Sequence, residues 1–576
     1  MNSKKPIGAN ANAINTVRKH WIILTAIVII NIPFSLFSQC KISPTSFCDH
    51  KVVLDEDNKL LPWYTEGNAY DHFLHIRWDF IKNRMPNAPG PAPRSNYPQF
   101  YFYAAFEENG GNIEPNMWMN DPGEKVNMLF ESARLYYAYT GDSSVIKIAR
   151  DYMDYSLEHG ISPADFAWPN FPYTAANAGE TEFTGFTSAS RFALHEVHVD
   201  HAGELGYAYY RMYLFTGEKK YLRAATNVAD VLAKYVRKGS ATQSVWPYRV
   251  IMSTGEVTSE YGANWTGCYM LLDNLVKDGL GDVKAYERAR EMARDYLLEF
   301  PLKTGYWTDG HTDTDVDSHT YKSNLSASNF KLGIYDYPEL DPNWKTNIPK
   351  LIEWTEDNFI YTSAMMNAKD YGIGLTVEEA NGIPLEPSTI WGANVVGEQE
   401  MFYPKMDYQT ARYAAECARW YAVSGDESYK EKAFRALNFV TYCNDESGMA
   451  FESPFSNDVY TWWGDSYGEC PRMVYQVFAG IPEWAPSGED HILYSEGILT
   501  DVQYDKNKVQ YVAANKVGIE YLRLTFKPKK VTQNGAKLKL QENFDNDGYT
   551  LTNLGNGDYA VKIKRSGKGK IIIEGS

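Results

Sequence analysis

Apolar positions recur at helical spacing over most of the chain, and glycines end these stretches at similar intervals. Stretches rich in Tyr, Leu and Ala run into Gly141, Gly217, Gly281 and Gly425, and a second amphipathic stretch follows each glycine. A glycine just past a helix end adopts left-handed backbone without steric cost, and an acidic residue after it favours the start of the next helix. The pattern therefore predicts tandem helical hairpins.

The spacing of the glycines indicates how many hairpins there are. The interval before Gly425 is about twice the others, which predicts an unmarked hairpin turn near residue 353. Gly480 ends a further short helix, and a helix from His72 to Arg84 precedes the first glycine. About six hairpins result. Tandem helix pairs form an open solenoid or close into a ring, and open arrays have shorter, stricter repeats. We therefore predict a mainly α chain with a closed (α/α)6 toroid over residues 65–487.

After Trp484 the pattern changes to alternating apolar and polar residues, which is typical of strands. Turn signals at Asn534-Gly535 and Asn556-Gly557 separate the stretches. The predicted strands are Val517–Phe526, Ala536–Leu540, Tyr549–Leu551 and Tyr559–Ile563. Residues 488–576 are thus predicted to form a small antiparallel β-sandwich, with a packing or accessory role rather than a catalytic one.

The N-terminus has the pattern of an export signal. Lysines and arginines precede an apolar run from Trp21 to Phe37, and Ser38-Gln39-Cys40 follows it. We predict a signal peptide over residues 1–39 and a linker over 40–64; an uncleaved membrane anchor is the alternative. The expected location is the periplasm, with an outer-membrane lipoprotein or a secreted protein as alternatives. Membrane association is expected only if Cys40 carries a lipid.

Composition narrows the class of partner. The net charge of −17 argues against nucleic acid as a ligand, because such ligands are polyanions. Aromatic residues make up 15% of the chain, either as helical core or as platforms for sugar rings. An acidic saccharide would need local arginines or lysines to bind it, since the global field repels it.

The repeat also predicts where a site lies. In a toroid the helices that lead into each glycine form the inner ring, and their N-terminal ends share one mouth. One helix length before each glycine stand polar, titratable or aromatic side chains: Asn120 and Asp121, His198 and His201, Tyr261 and Asn264, Lys405 and Tyr408, and Trp463 and Asp465. Asp121, Asp200 and Asp465 are also ordinary helix-capping residues. Capping does not explain His198 or Lys405, so these favour a functional role.

Three further polar motifs have the residue types of ligand sites. The loop Trp246-Pro247-Tyr248-Arg249 precedes the Tyr261 segment and offers Arg249 as a cation for a carboxylate or sulfate. His195, His198 and His201 are spaced for adjacent pairs on a helix, which is a weak zinc pattern. Asp313-x-Asp315-x-Asp317 starts like a calcium loop but lacks the later Gly and Glu. We predict no metal site and no cofactor, leaving a divalent cation open.

A family resemblance follows from the hairpin units. Residues 210–222, reading Tyr-x-x-Tyr-Leu-Phe-Thr-Gly-Glu-x-x-Tyr-Leu, resemble units of the six-hairpin glycosidase-like superfamily. That superfamily includes unsaturated glucuronyl hydrolases, rhamnosidases, epimerases and polysaccharide lyases, so the resemblance implies the fold rather than one reaction. The signal ending in Phe-Ser-Gln is similar to polysaccharide-utilisation proteins of marine Bacteroidetes. Within that group the chain resembles the oligosaccharide dehydratases of ulvan breakdown, which implies an acidic oligosaccharide substrate.

The residues at the mouth favour elimination from a uronic acid. A base removes the C5 proton, a cation neutralises the carboxylate, and an acid protonates the oxygen that leaves C4. We predict His198 or Lys405 as base and Tyr408 or Tyr261 as acid, with His201 beside them. The expected substrate-binding residues are Asn120, Asp121, Tyr248, Arg249, Asn264, Trp463 and Asp465.

The leaving group defines the enzyme class. A departing sugar makes the enzyme a lyase and a departing hydroxyl makes it a dehydratase; the residues do not distinguish them, and the resemblance implies the dehydratase. A glycoside hydrolase of the unsaturated-uronyl type, using Asp121 and Asp200, is the first alternative, because hydrolysis requires two carboxyl groups. A non-catalytic sugar-binding protein is the second, and the many titratable groups argue against it.

Overall fold

The structure is a computed structural model that describes residues 46–65, 68–86, 104–109, 111–117, 122–175, 193–308, 322–361, 385–386, 389–398, 406–455, 465–544 and 546–575. The predicted signal peptide and four predicted site residues, Asn120, Asp121, Lys405 and Trp463, lie outside these ranges. Within the described ranges, no helix combines the length and the apolar character that a membrane crossing requires.

Helices in alternating positions form most of the fold. In chain order they are α1 (Ala69–Asp79, continued by a π-helical turn at Phe80–Arg84), α2 (Pro122–Thr140), α3 (Ser144–His159), α4 (Val199–Thr216), α5 (Lys219–Tyr235), α6 (Thr266–Asp278), α7 (Val283–Glu299, followed by a helical turn at Pro301–Thr304), α8 (Asn324–Asp336), α9 (Trp344–Phe359), α10 (Met406–Ser424), α11 (Glu427–Thr441) and α12 (Asp465–Gly480). The even-numbered helices form the inner ring and the odd-numbered helices lie outside them.

Contacts between the inner helices close the ring. Each inner helix packs against the next one, and α12 packs back against α2. Gly480 allows α12 to approach α10 closely, because a Cβ there would lie 2.3 Å from the carbonyl oxygen of Ala418. The predicted (α/α)6 toroid is thereby confirmed, and α1 serves as the outer helix beside α12 rather than as part of a hairpin with α2.

Burial distinguishes the two rings. Most residues of α4 are buried all around the helix, whereas α5 buries one apolar face and exposes the other. Left-handed glycines end the inner helices as predicted at Gly141, Gly217 and Gly425, whose φ angles are 79°, 75° and 71°. In the third hairpin the residue that follows α6 is Gly279, with φ 71°, rather than Gly281.

The fourth hairpin turns without a glycine, earlier than predicted. Residue 353 lies inside α9, and the turn occupies residues 337–343, with a 3-10 turn at Pro338–Leu340. Asp341 stabilises this turn, since its Oδ1 accepts from the backbone N–H of Asn343 at 2.8 Å and its Oδ2 from Nδ2 of Asn347 at 2.8 Å. An Asx turn therefore replaces the glycine that marks the other hairpins.

Short strands occupy the connections between helices. They are β1 (Val53–Leu54) with β2 (Leu60–Leu61), β3 (Ala104–Asn109) with β4 (Asn112–Met117), the three-stranded set β5 (Glu196–His198), β6 (Arg249–Ile251) and β7 (Glu256–Ser259), and β8 (Leu385–Glu386) with β9 (Thr389–Ile390). The set β5–β6–β7 joins two connections that lie far apart in sequence, and it positions the candidate site described below.

Two antiparallel sheets form the C-terminal sandwich. The strands are β10 (His491–Ser495), β11 (Leu499–Asp505), β12 (Lys508–Ala513), β13 (Gly518–Leu524), β14 (Lys530–Gln533), β15 (Ala536–Lys537), β16 (Gly548–Asn553), β17 (Tyr559–Arg565) and β18 (Gly569–Glu574). One sheet has the order β10-β13-β17-β16 and the other β11-β12-β18-β14-β15. The four predicted strands are present. The prediction missed β10, β11, β12, β14 and β18. In β10 all five residues are buried, which removes the alternating pattern.

The sandwich covers one end of the toroid axis. Arg134 of α2 donates through Nη1 to the carbonyl oxygen of Ser495 at 2.9 Å, and Arg211 of α4 donates through Nη2 to that of Glu496 at 3.0 Å. Between these arginines, Glu131 accepts through Oε2 from both, at 2.6 and 3.2 Å. We call Glu131, Arg134 and Arg211 the floor cluster. It joins α2 and α4 to the sandwich at this end, so we expect an axial site to open at the N-terminal ends of the inner helices.

Candidate active site

Strand pairing brings together residues from two separate connections. Strand β5 runs directly into α4, and His198 is the N-cap residue of that helix with extended backbone, φ −84° and ψ 115°. Strand β6 pairs antiparallel with β5, so that His198 lies opposite Arg249. The backbone N–H of His198 donates to Oγ1 of Thr174 at 3.1 Å. The N-terminal end of α4 is therefore held next to the segment that carries Tyr248 and Arg249.

Four predicted residues meet here, and we call His198, His201, Tyr248 and Arg249 the mouth cluster. The imidazole of His198 stacks on the ring of Tyr248, with centroids 5.2 Å apart and planes at 16°. The His201 ring meets the His198 ring edge-on at 5.1 Å. Arg249 is half-buried, with Cζ 5.9 Å from the Tyr248 centroid. A base, a phenol and a guanidinium thus lie side by side.

A pair of carboxyl groups lies beneath the mouth cluster on α4. Asn264, just before α6, donates through Nδ2 to Oδ2 of Asp200 and to Oε1 of Glu204, both at 3.1 Å. Burial raises the pKa of the Glu204 carboxyl, and the charges of His201 and Arg412 reduce this effect. His201 Nε2 lies 3.7 Å from Oδ2 of Asp200. Proton-binding groups are therefore stacked along the axis.

Residues of the neighbouring inner helices complete this layer. Asn329 of α8 donates through Nδ2 to Oε1 of Glu204 at 3.2 Å and to Oδ1 of Asn264 at 2.9 Å. Arg412 of α10 donates through Nη1 to Oδ1 of Asn329 at 2.6 Å, and its Nη2 lies 2.7 Å from Oε1 of Glu469 on α12. The carboxyl pair is thus held by a hydrogen-bonded chain that crosses the ring.

The two predicted acids have different surroundings. Tyr408, at the start of α10, is buried and donates its hydroxyl to Oε1 of Glu398, and the Arg412 guanidinium lies 5.8 Å from its ring centroid. Tyr261 donates to the carbonyl oxygen of Tyr306 at 3.1 Å, and burial raises the pKa of its phenol. Its ring lies 6.4 Å from that of Tyr296 on α7, so these partners belong to the outer ring and not to the mouth cluster.

Asn264 differs from the expectation in its exposure. The sequence predicts it as a donor to substrate, whereas the structure buries it with its amide on the carboxyl pair. Asp465 is the first residue of α12, and its side chain is not among the described ones. The roles of Asn120, Asp121, Lys405 and Trp463, outside the described ranges, stay predictions.

No metal cluster is found in the described part of the chain, where no three His, Cys, Asp or Glu side chains are placed to hold an ion. His195 has left-handed backbone, with φ 66°, and its ring lies 4.9 Å from that of Phe166. His198 and His201 face each other at the mouth. The three spaced histidines thus do not form one ligand set.

Sequence reasoning missed the second turn of the inner helices. It named residues at the helix starts, whereas Glu204 lies four residues after Asp200 and Arg412 four residues after Tyr408. Residues four apart share a helix face, so one further step along the same face would have found both. Asn329 had no such signal, since its hairpin turn lacks a glycine.

Comparisons with known proteins concern the fold. No family model matches the chain, and neither does any curated protein. Among solved structures, cellobiose 2-epimerase from Spirochaeta thermophila is similar at 9% identity and a TM-score of 0.47, covering 71% of this chain and 97% of its own. A D-mannose isomerase is 12% identical with a TM-score of 0.45, covering 70% and 96%. An unsaturated glucuronyl hydrolase specific for heparin is 11% identical with a TM-score of 0.36, covering 71% and 95%. At these values the likeness does not identify a reaction.

Proposed function

We propose that this chain is an enzyme of acidic-polysaccharide breakdown that eliminates water across C4 and C5 of the uronic acid at the non-reducing end of an oligosaccharide. The product would be an unsaturated uronate. One observation carries the proposal: an imidazole, a phenol and a half-buried guanidinium, His198, Tyr248 and Arg249, lie together at the mouth of the toroid.

Each member of this set has a task in elimination. Arg249 pairs with the substrate carboxylate, which lowers the cost of developing charge at C5. His198 removes the C5 proton as the base. Tyr248 protonates the departing C4 oxygen, and its position against the His198 ring puts acid and base on neighbouring atoms of one sugar ring. His201, edge-on to His198, completes the set.

The step balances without a redox partner. The C5–H bond breaks and its proton passes to His198, while the electron pair forms the C4–C5 double bond. The C4–O bond breaks, and the leaving oxygen takes a proton from Tyr248. With a free C4 hydroxyl the leaving molecule is water; with a glycosidic C4 oxygen it is a sugar. The resemblance to oligosaccharide dehydratases supports the hydroxyl, and polysaccharide lyase activity is the alternative.

The predicted export signal supports a cellular location for this activity. We propose that the protein acts in the periplasm on oligosaccharides that have been imported or cut outside the cell. A negative chain repels an acidic polymer at long range, which favours short substrates that need only local cations.

One assay tests the reaction class. The purified protein is incubated with ulvan-type uronic-acid oligosaccharides, and product mass and ultraviolet absorbance are followed together. Loss of one water with new absorbance is the expected result. Chain cleavage with new absorbance would identify a lyase instead, and no change on any acidic oligosaccharide would overturn the proposal.

Variants link the reaction to the mouth cluster. We expect His198→Gln to lower kcat/KM at least about a hundredfold, because the base is lost. The matched control is His75→Gln, because His75 is a half-exposed histidine of α1 that contacts Tyr136 and Asp71 away from the mouth. Full activity in His198→Gln would show that elimination does not use this cluster.

The carboxyl pair favours hydrolysis of an unsaturated uronyl unit as a second candidate. Burial raises the pKa of Glu204, which suits a general acid, and Asp200 lies on the preceding turn of α4. The same assay, repeated with an oligosaccharide that already carries an unsaturated uronyl unit, separates the two, because hydrolysis would remove the existing absorbance as the chain is cleaved.

A further inference from the structure

Beneath the mouth, Arg412, Asn329 and Asn264 form a series of hydrogen bonds in which the donors and acceptors can be arranged in only one way. A guanidinium donates and never accepts, so Oδ1 of Asn329 must face Arg412. Nδ2 of Asn329 therefore donates to Oδ1 of Asn264, which orients that amide in turn. Nδ2 of Asn264 is left to donate to Asp200 and Glu204. Neither asparagine can flip without opposing like groups.

The start of this chain is firmly anchored. Arg412 is buried and forms an ion pair with Glu469, whose other oxygen lies 3.1 Å from Nη1 of Arg472. A buried ion pair of this kind holds its geometry well, since breaking it leaves an uncompensated charge. Arg412 also lies against the ring of Tyr408. The direction set by Arg412 is thus imposed on Asn329 and Asn264 rather than shared with them.

The series of hydrogen-bonded side chains ends at the Asp200–Glu204 carboxyl pair. Oε1 of Glu204 accepts from both amides, and Oδ2 of Asp200 accepts from Asn264 while facing His201. N–H donors stabilise the ionised form of a carboxyl group. Orientation of two neutral amides therefore controls the negative charge that lies next to the His201 imidazole.

We propose that Arg412, Asn329 and Asn264 form a one-way relay of positioning residues, which holds the Asp200–Glu204 pair as oriented acceptors behind the histidines. The relay's part in catalysis rests on the proposed function; its orientation does not. The charged and titratable groups that face the pair from the packed elements are His198, His201, Glu124, Cys268, Arg412, Arg472 and Glu469.

Two substitutions of Asn329 separate the effect of hydrogen-bond direction from the effect of an added charge. Asn329→Leu removes both the acceptor and the donors without adding charge. Asn329→Asp keeps an acceptor for Arg412 but cannot donate when ionised. The relay predicts that both free the Asn264 amide and remove a donor from Glu204. The matched control is Asn274→Leu, because Asn274 is a buried asparagine of α6 whose Nδ2 donates to neutral oxygens of Met270 and Tyr337.

The first readout needs no substrate. Protein labelled with ¹⁵N in its asparagines is followed by NMR, and the Asn264 side-chain signals are assigned by their loss in Asn264→Asp. We expect hydrogen exchange of this side-chain amide to accelerate at least about tenfold in both Asn329 variants and to stay within about twofold in Asn274→Leu. Unchanged exchange in folded Asn329→Leu and Asn329→Asp would overturn the relay.

The second readout is the pH profile of kcat/KM. In the relay the carboxyl pair acts in its ionised form, and loss of N–H donors raises the pKa of a carboxyl group. Activity on the acidic side should therefore be lost at a pH higher by about one unit in both Asn329 variants. A shift of the pH profile in Asn329→Asp alone would show that the added charge causes it, and this result would overturn the relay. Faster exchange of the Asn264 amide together with an unchanged pH profile of kcat/KM would overturn the proposed role of the relay in catalysis. Failure to find any substrate would count against the proposed function and leave the exchange result standing.

Discussion

The toroid axis carries two buried polar clusters that differ in what their charges do. At the floor, Glu131 lies between Arg134 and Arg211, which also bond backbone carbonyls of the sandwich. At the mouth, His198 and Tyr248 stack without an ion pair between them. A small cavity of about 40 Å³ lies between the floor cluster and the carboxyl pair beneath the mouth, and its lining includes Glu131, Arg211, Glu204 and Asn329.

The pKa values of the two buried glutamates show the difference. Burial alone would raise the pKa of both Glu131 and Glu204. At the floor, the guanidinium groups of Arg134 and Arg211 outweigh it and lower the pKa of Glu131 to about 2. At the mouth, burial prevails and raises the pKa of Glu204. A carboxyl whose pKa is lowered stays ionised and suits a structural ion pair, whereas one whose pKa is raised binds a proton more readily and suits proton transfer. Burial of charge alone therefore does not identify a site.

The largest effect is expected when the floor loses one partner. Arg134→Met leaves Glu131 buried with Arg211 alone and removes the bond to Ser495. We expect the free energy of unfolding to fall by about 3–5 kcal/mol, because a buried charge is left partly uncompensated. Denaturant unfolding measures this, with Lys147→Met, which breaks an exposed pair with Asp151, as a control that costs under about 1 kcal/mol. An equal loss in both variants would contradict a structural role for the floor.

The floor should also govern stability in acid. Because the folded pKa of Glu131 lies below its usual value, its contribution is complete above about pH 4.5 and is lost as pH falls towards 2. The shift corresponds to roughly 3 kcal/mol. Unfolding free energies of the wild type and Glu131→Gln should converge between about pH 5 and 2. Parallel pH curves for the two proteins would show that Glu131 is not the group responsible.

The fold was largely predictable because local backbone chemistry repeats. Left-handed glycines after the inner helices are visible in sequence and mark three of the turns directly. The fourth turn was misplaced because Asp341 and a 3-10 turn do the same work with other residues. Strand β10 was missed since packing against α2 and α12 buries both its faces.

The candidate site was predictable mainly at its outer layer, and Asn264 is the predicted residue that belongs to the second layer. Helix starts can be counted from the glycines, and this count found His198 and His201. Inner helices are buried all around, so the sequence gives no polar face to mark the second layer, and Glu204 and Asn329 were missed. The closeness of Tyr248 to His198 depends on β5 pairing with β6, a contact between distant segments that no local pattern predicts.

The mouth should lose activity without losing stability. Tyr248→Phe keeps the ring against His198 but removes the hydroxyl, so we expect kcat to fall about a hundredfold while the free energy of unfolding changes by under about 1.5 kcal/mol. Tyr421→Phe, whose hydroxyl bonds Glu427 at the far end of α10, is the control. Loss of activity in Tyr261→Phe instead of Tyr248→Phe would move the acid to the outer side of the ring.

The smallest effect should come from the cation at the rim, and it separates the two clusters most sharply. Arg249 is half-buried, in contrast to Arg211 at the floor, so Arg249→Gln should change unfolding by under about 1 kcal/mol. If Arg249 pairs with the substrate carboxylate, KM should rise about tenfold, since one charge-assisted contact is lost. Arg249→Lys should recover part of this, because the charge remains while the planar fork is lost. Added salt should raise KM for the wild type more than for Arg249→Gln, because screening weakens an exposed ion pair. An unchanged KM in Arg249→Gln, with kcat also unchanged, would mean that the carboxylate binds elsewhere in the mouth.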